Sequence, residues 1–212
     1  MKPKIHKNVI VGKNCIVEDF CEIGRPPKGA KEGELKTIIG DDGFIRSGTV
    51  IYAGTIIGNN FQTGHNVFIR EGNKIGNNVS VGTNSCIEVD NMIKDNVRIQ
   101  SLCFMEKAIL EENVFLGPSV IFLDDPHPNI PRGLNCMKGV TIKKGARIGG
   151  GVTILPYVTV GENSFVGAGS VVTRDVEKSH VVVGNPAHNL KEVSDIICER
   201  RDKPHKPYDS IS

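Results

Sequence analysis

Imidazole is the side chain best suited to exchange a proton near neutral pH, and the chain holds six histidines. Four of them, at 6, 180, 188 and 205, lie toward the two ends. The other two are interior. His127 follows Asp124 and Asp125, so a carboxylate two or three residues earlier is placed to orient it. His65 lies in the polar stretch Gln62-Thr63-Gly64-His65-Asn66. A histidine so placed suits a general base that takes the proton of an attacking amine or hydroxyl. His127 and Cys136 are too few donors to define a metal site. No CxxC pair occurs among the cysteines at 15, 21, 86, 103, 136 and 198, so no metal is expected. A second feature is made of absent side chains: Gly149-Gly150-Gly151, then Gly167-Ala168-Gly169 eighteen positions later.

The elements that position these residues follow from an internal period. An aliphatic residue recurs every six positions from Ile39 through Ile45, Ile51 and Ile57 to Met105, with Thr63 as the polar exception, holding one phase over eleven intervals. A second run reads Ile142, Ile148, Ile154, Val160, Val166 and Val172. Gly often follows, as at 40, 58, 64, 76, 82, 149, 161 and 167, where a corner needs positive φ or close approach. A small or β-branched residue recurs four places after the aliphatic one, as at Thr49, Val67, Val79, Ser85 and Val97. Each hexad is then a short strand and a turn whose first and fifth residues point inward. Three hexads close a triangular coil, and residues 18 apart stack about 4.8 Å apart. The fold class is an all-β solenoid, a left-handed parallel β-helix whose Ile/Val column is buried only by stacking.

Stacking the period on itself places the chemistry. Hexads beginning at Thr63, Val81, Ile99, Leu116, Ile148 and Val166 share one face. The two glycine-rich runs then lie on adjacent coils and form a track for an extended amide-bearing chain, with a backbone N–H to receive an oxyanion. On the same corner lie Pro118, Ser101, Thr83 and His65, with Asn66 beside the last. The loop carrying Asp124, Asp125 and His127 leaves from the next hexad and spans roughly 14 Å, enough to bring it toward His65 within a subunit or across a cleft. His65 and His127 are the catalytic candidates, and Asn66, Thr83, Ser101, Asp124 and Asp125 the substrate-binding ones.

Three interruptions mark loops and a bulge. Residues 25–38 are polar and rich in Pro and Gly, and residues 123–139 form a longer excursion. Between Met105 and Leu110 the step is five. The repeat domain runs over 1–187. Leu190, Val193, Ile196 and Ile197 predict a short amphipathic C-terminal helix over 188–201, and 202–212 an extended tail. Composition agrees with a thin core: 39% hydrophobic, 5% aromatic, no Trp and 24 Gly. A net charge of +2 gives no electrostatic case for nucleic acid, and no apolar run reaches membrane-spanning length. A cytoplasmic location is the expectation, with the cysteines as reduced thiols.

The repeat resembles the hexapeptide acyltransferase superfamily over nearly the whole chain. Glu112-Asn113-Val114-Phe115-Leu116-Gly117-Pro118-Ser119-Val120-Ile121-Phe122 and Val166-Gly167-Ala168-Gly169-Ser170-Val171-Val172-Thr173-Arg174-Asp175-Val176 look most like nucleotide-amino-sugar N-acetyltransferases, as does Val183-Gly184-Asn185-Pro186-Ala187. The resemblance implies a homotrimer with sites between subunits, acetyl-CoA as donor and a nucleotide amino sugar as acceptor. Gly149, Gly150, Gly151, Gly167 and Ala168 would then seat the pantetheine arm, and Arg174 and Lys191 the CoA phosphates. Gln100-Ser101-Leu102 departs from the Gln-Asn-Asn of some such enzymes, so those contacts do not carry over. Two other activities remain open: O-acetylation of a sugar or serine hydroxyl, and a non-catalytic scaffold. A metal hydratase of the γ-carbonic-anhydrase kind shares the solenoid, but it needs a second imidazole near His127, and position 122 is Phe.

Overall fold

The computed structural model describes residues 1–130, 136–199 and 205–208. It is a three-sided prism of short parallel strands. The first face has nine strands, from Lys4–Ile5 to Val171–Val172. The second has eight, from Val9–Val11 to Thr159–Val160, and the third has ten, beginning at Ile16–Val17. Val81 pairs with Thr63 below and Ile99 above, and Ile148 with Leu116 and Val166, so the six hexads expected on one face share the third.

Each place in the hexad has its own physics. First-place residues such as Ile39, Ile57, Ile99 and Val166 fill the core. Fifth-place residues such as Thr49, Val67, Ser85 and Cys103 are also buried, where room is short. The second-place glycine serves close approach rather than positive φ. A Cβ on Gly64 would lie 2.3 Å from the Thr83 nitrogen, and one on Gly149 2.5 Å from that of Ala168. Positive φ belongs to the fourth place, where Asn66, Asn78, Asn84 and Asn96 adopt 55°, 55°, 57° and 61°. Asn tolerates this region because its short polar side chain bonds locally. Asn60 donates to Asn78 at 3.0 Å, and Asn78 to Asn96 at 3.1 Å, so the corner is also a ladder.

Two buried asparagines extend this logic inward. Asn91 Nδ2 donates to Asn73 Oδ1 at 2.9 Å, and Asn91 Oδ1 accepts from the Ala108 N–H at 2.8 Å. Ala108 takes the fifth place of the five-residue hexad, with Lys107 at φ 49° making its corner.

Both expected loops leave the corner between the first and second faces. The first connects Glu22–Arg25 to Thr37–Ile39. It is pinned by buried His6, whose Nδ1 meets Glu32 at 2.9 Å while Nε2 meets Glu22 at 2.8 Å. The second follows Ile121–Phe122 and returns at Thr141–Ile142, and its residues 131–135 lie outside the described residues.

Among the described residues of 188–201 the expected C-terminal helix is not formed. Ala187–Glu192 is a strand, antiparallel to His180–Gly184, and only Val193–Asp195 makes a 3-10 turn. The last parallel strand has an open edge, and pairing satisfies its backbone groups directly. A cis Asn185–Pro186 bond lies in the connecting turn. Of the expected extended tail, His205–Tyr208 are described, with His205 paired to Cys198.

Candidate functional site

The glycine-rich strip lies at the corner between the third and first faces, as the period requires. Gly149 donates to Val166 O at 2.8 Å, Gly151 to Pro118 O at 2.8 Å and Gly169 to Gly150 O at 2.9 Å. Those N–H groups are therefore spent on the coil ladder. Third-place N–H groups are different, because on some coils a side chain from the next coil caps them. His65 N–H donates to Thr83 Oγ1 at 3.1 Å, and Asn59 N–H to Asn77 Oδ1 at 2.9 Å. Above Gly150 stands Ala168, which has no such atom. Among the described residues neither the Gly150 nor the Ala168 N–H has a partner. A Cβ at Gly151 or Gly169 would meet nothing within 4 Å. The strip thus offers two unclaimed donors beside open space, which an extended amide chain can occupy.

Below the strip the same corner carries Pro118, Ser101, Thr83, His65 and Ser47. The exposed His65 takes a 2.9 Å contact from Ser47 Oγ to its Nδ1. Asn66 is a corner residue at φ 55°, and Thr83 Oγ1 is engaged by the His65 backbone. Ser101 is half-buried, its carbonyl accepting from Ser119 at 2.9 Å. Three of these residues therefore hold coil to coil through their own bonds.

His65 and His127 are not brought together within one chain. His65 sits at the corner between the third and first faces, His127 at that between the first and second. Asp124 is also corrected, from a substrate contact to a loop anchor. Its carboxylate is buried and meets Lys107 Nζ at 2.8 Å, with Glu106 on the same ammonium at 2.8 Å. Burial alone would lower the Lys107 pKa, but the two carboxylates outweigh it and raise it. The Asp124 carbonyl accepts from Lys138 at 2.9 Å, closing the loop base. Asp125 bonds the His127 backbone N–H at 2.8 Å rather than its ring. The His127 imidazole is exposed and has no partner among the described residues. Sequence reasoning missed Lys107, whose signal was its place in the five-residue hexad.

Arg174 is exposed at the C-terminal end and lines a cleft of about 240 Å³ with Asp175, His180, His188 and Asn189. Sequence reasoning passed over His188 for its nearness to the chain end. Lys191 lies on the exposed last strand, its Nζ 3.3 Å from the Asp195 carbonyl. The two cations are both on the terminal coils. Among the described residues no group of three His, Cys, Asp or Glu is placed to hold a metal.

A family described as bacterial transferase hexapeptide (six repeats) matches residues 139–174, the segment that holds both glycine-rich runs. A putative acetyltransferase of Saccharomyces cerevisiae is 39% identical over 93 residues, covering 42% of this chain and 47% of the relative. A galactoside O-acetyltransferase of Lactococcus lactis is 37% identical over 87 residues, covering 39% and 42%. The matched segments thus span about half the length of these relatives or less. Among solved structures, a UDP-N-acetylglucosamine acyltransferase from Campylobacter jejuni superposes with TM-score 0.76 at 18% identity, over 90% of this chain and 73% of that one. That likeness is one of fold, a left-handed β-helix. Residues 139–174 thus match the bacterial transferase hexapeptide family, and the chain as a whole has the fold that this repeat builds.

Proposed function

We propose that the protein transfers an acetyl group from acetyl-CoA to a sugar, in sites formed between copies of a homotrimer. The observation that carries this is the pair of unclaimed N–H donors at Gly150 and Ala168, beside the open strip over Gly151 and Gly169. The pantetheine amides take the donors and the open strip, and one of the two N–H groups faces the thioester oxygen as charge develops there. Arg174 and His188, which share a cleft at the C-terminal end, would receive the CoA phosphates. The strip and His127 are separated by a prism edge, about 13 Å over four extended residues. A neighbouring chain supplies the missing half if its strip faces this loop, which supports the trimer.

The acceptor we favour is a sugar hydroxyl. A hydroxyl must lose its proton as it attacks, and His127 presents an uncommitted imidazole for that role. Two curated relatives, from Lactococcus lactis and Escherichia coli, are named galactoside O-acetyltransferases. The second reading is the amino group of a nucleotide-linked sugar, favoured by the motifs at 112–122 and 166–176. An amine arriving unprotonated needs no base.

A free-thiol assay with acetyl-CoA against sugars and nucleotide amino sugars tests both. With a hydroxyl acceptor, His127→Ala is expected to lower kcat roughly 10²- to 10⁴-fold, with acetyl-CoA affinity unchanged. Activity of that variant within a few-fold of the parent on an amino sugar would select the second reading. No CoA release with any sugar would sink both.

A further inference from the structure

The third face carries a column of side chains that the acyl-transfer reading does not use. Its sixth-place residues on four successive coils are Arg98, Phe115, Arg147 and Phe165, each paired in register with the next. Guanidinium and phenyl groups therefore alternate at about 4.8 Å. Arg147 is held in place by donating from Nη1 to the Gly145 carbonyl at 3.0 Å.

The top of this column is occupied by a ring from the chain itself. Tyr208 lies with its ring centroid 4.9 Å from the Arg147 guanidinium carbon and 6.4 Å from the Phe165 centroid, tilted by 54°. Beside it is a cavity of about 290 Å³ lined by Asn163, Lys178, Ser179, Glu192, Ser194 and Tyr208. A planar ring on a guanidinium and a phenyl, with an ammonium and hydroxyls alongside, is the chemistry that receives a nucleobase and its phosphate.

We propose that Arg147 and Phe165 form a nucleobase-stacking site that Tyr208 plugs, so that nucleotide and C-terminal tail compete for one platform. The base comes from the CoA donor or from a nucleotide-linked acceptor, an assignment that rests on the acyl-transfer reading. The stacking itself does not.

Calorimetry on the full-length protein with CoA and, separately, UDP tests it. Tyr208→Ala removes the plug and is expected to tighten one of these ligands about five- to tenfold. Tyr208→Phe keeps the ring and should leave affinity unchanged. Arg147→Ala should weaken the same ligand about tenfold and erase the effect of Tyr208→Ala, because both act at one site. A response to CoA alone assigns the platform to adenine, and one to UDP alone to an acceptor base. Turnover of acetyl-pantetheine with a free sugar, in which neither substrate carries a base, should ignore all three variants. Unchanged affinity for both ligands in Tyr208→Ala and Arg147→Ala would overturn the proposal. Binding responses in a protein that releases no CoA from acetyl-CoA would overturn the acyl-transfer reading instead.

Discussion

A side chain at Gly151 would meet no atom within 4 Å, yet its φ of +68° excludes most residues. Asparagine escapes that exclusion, since Asn66 and Asn84 hold equivalent corners on the coils below. Gly151→Asn is therefore expected to keep the fold while filling the space over the strip. Its KM for acetyl-CoA should rise more than about tenfold at nearly unchanged thermal stability, an energy on the scale of one lost contact set. Gly149→Ala reverses the pattern, because its Cβ would press on the Ala168 nitrogen at 2.5 Å. That overpacking costs about 1–3 kcal/mol. The glycines were legible in the sequence, but the difference between them was not. It depends on how closely the neighbouring coil approaches each Cα, and that is set by atoms eighteen positions away.

Among elements, the buried Asn73–Asn91 pair joins two coils, Asn73 Oδ1 accepting from both the side chain and the backbone N–H of Asn91. Asn91→Ala would strand the Ala108 N–H, while Asn73 Oδ1 keeps the Asn91 backbone N–H at 3.0 Å. A buried orphan costs about 1–3 kcal/mol, and a loss of that size in urea unfolding is expected. The corner between the first and second faces also sets a pH response. Arg70 grips Glu71 with two bonds and holds its carboxyl below the ordinary 4.5. That contribution is present above pH 4.5 and is lost as pH falls through the lower folded value. The Lys107 pKa is raised above 10.5, so its contribution is present below that pH and is lost as pH rises through the higher folded value. On the alkaline side the raised Cys21, Cys86 and Cys103 thiols add their own loss to that of Lys107, so urea midpoints should fall from about pH 9, and Asp124→Asn should shrink the Lys107 part of that fall. The C-terminal hairpin was the element least legible in the sequence. Leu190, Val193 and Ile197 have helical spacing, but the open edge of His180–Gly184 decides the pairing, and no local pattern shows that edge.

For the whole molecule, each coil touches only its neighbours, so stability is a sum of near-identical junctions. Deleting residues 76–93, one full turn, preserves the phase and brings equivalent places together. That variant is expected to fold with the same circular dichroism per residue and a smaller denaturant m-value, in proportion to surface lost. A nine-residue deletion from the same region shifts the phase by half a hexad, puts core positions on the surface and should leave the protein unfolded. The prism was readable because one aliphatic place recurs so often that a single alignment satisfies all of them. The fourth-place asparagines carried an equal signal, which Leu102, Lys107 and Ser119 at the same place of their hexads obscured.

The two excursions leave one corner of the prism, from strands Glu22–Arg25 and Ile121–Phe122, five pairing steps apart on the first face. Their bases are therefore about 24 Å apart. The shaft between them neither bends nor stretches, so that span changes only by whole coils, about 4.8 Å at a time. The pair works as the jaws of a caliper with fixed stops. Whatever lies between them is measured in discrete lengths, and mutations within the loops can reshape the jaws but not move them.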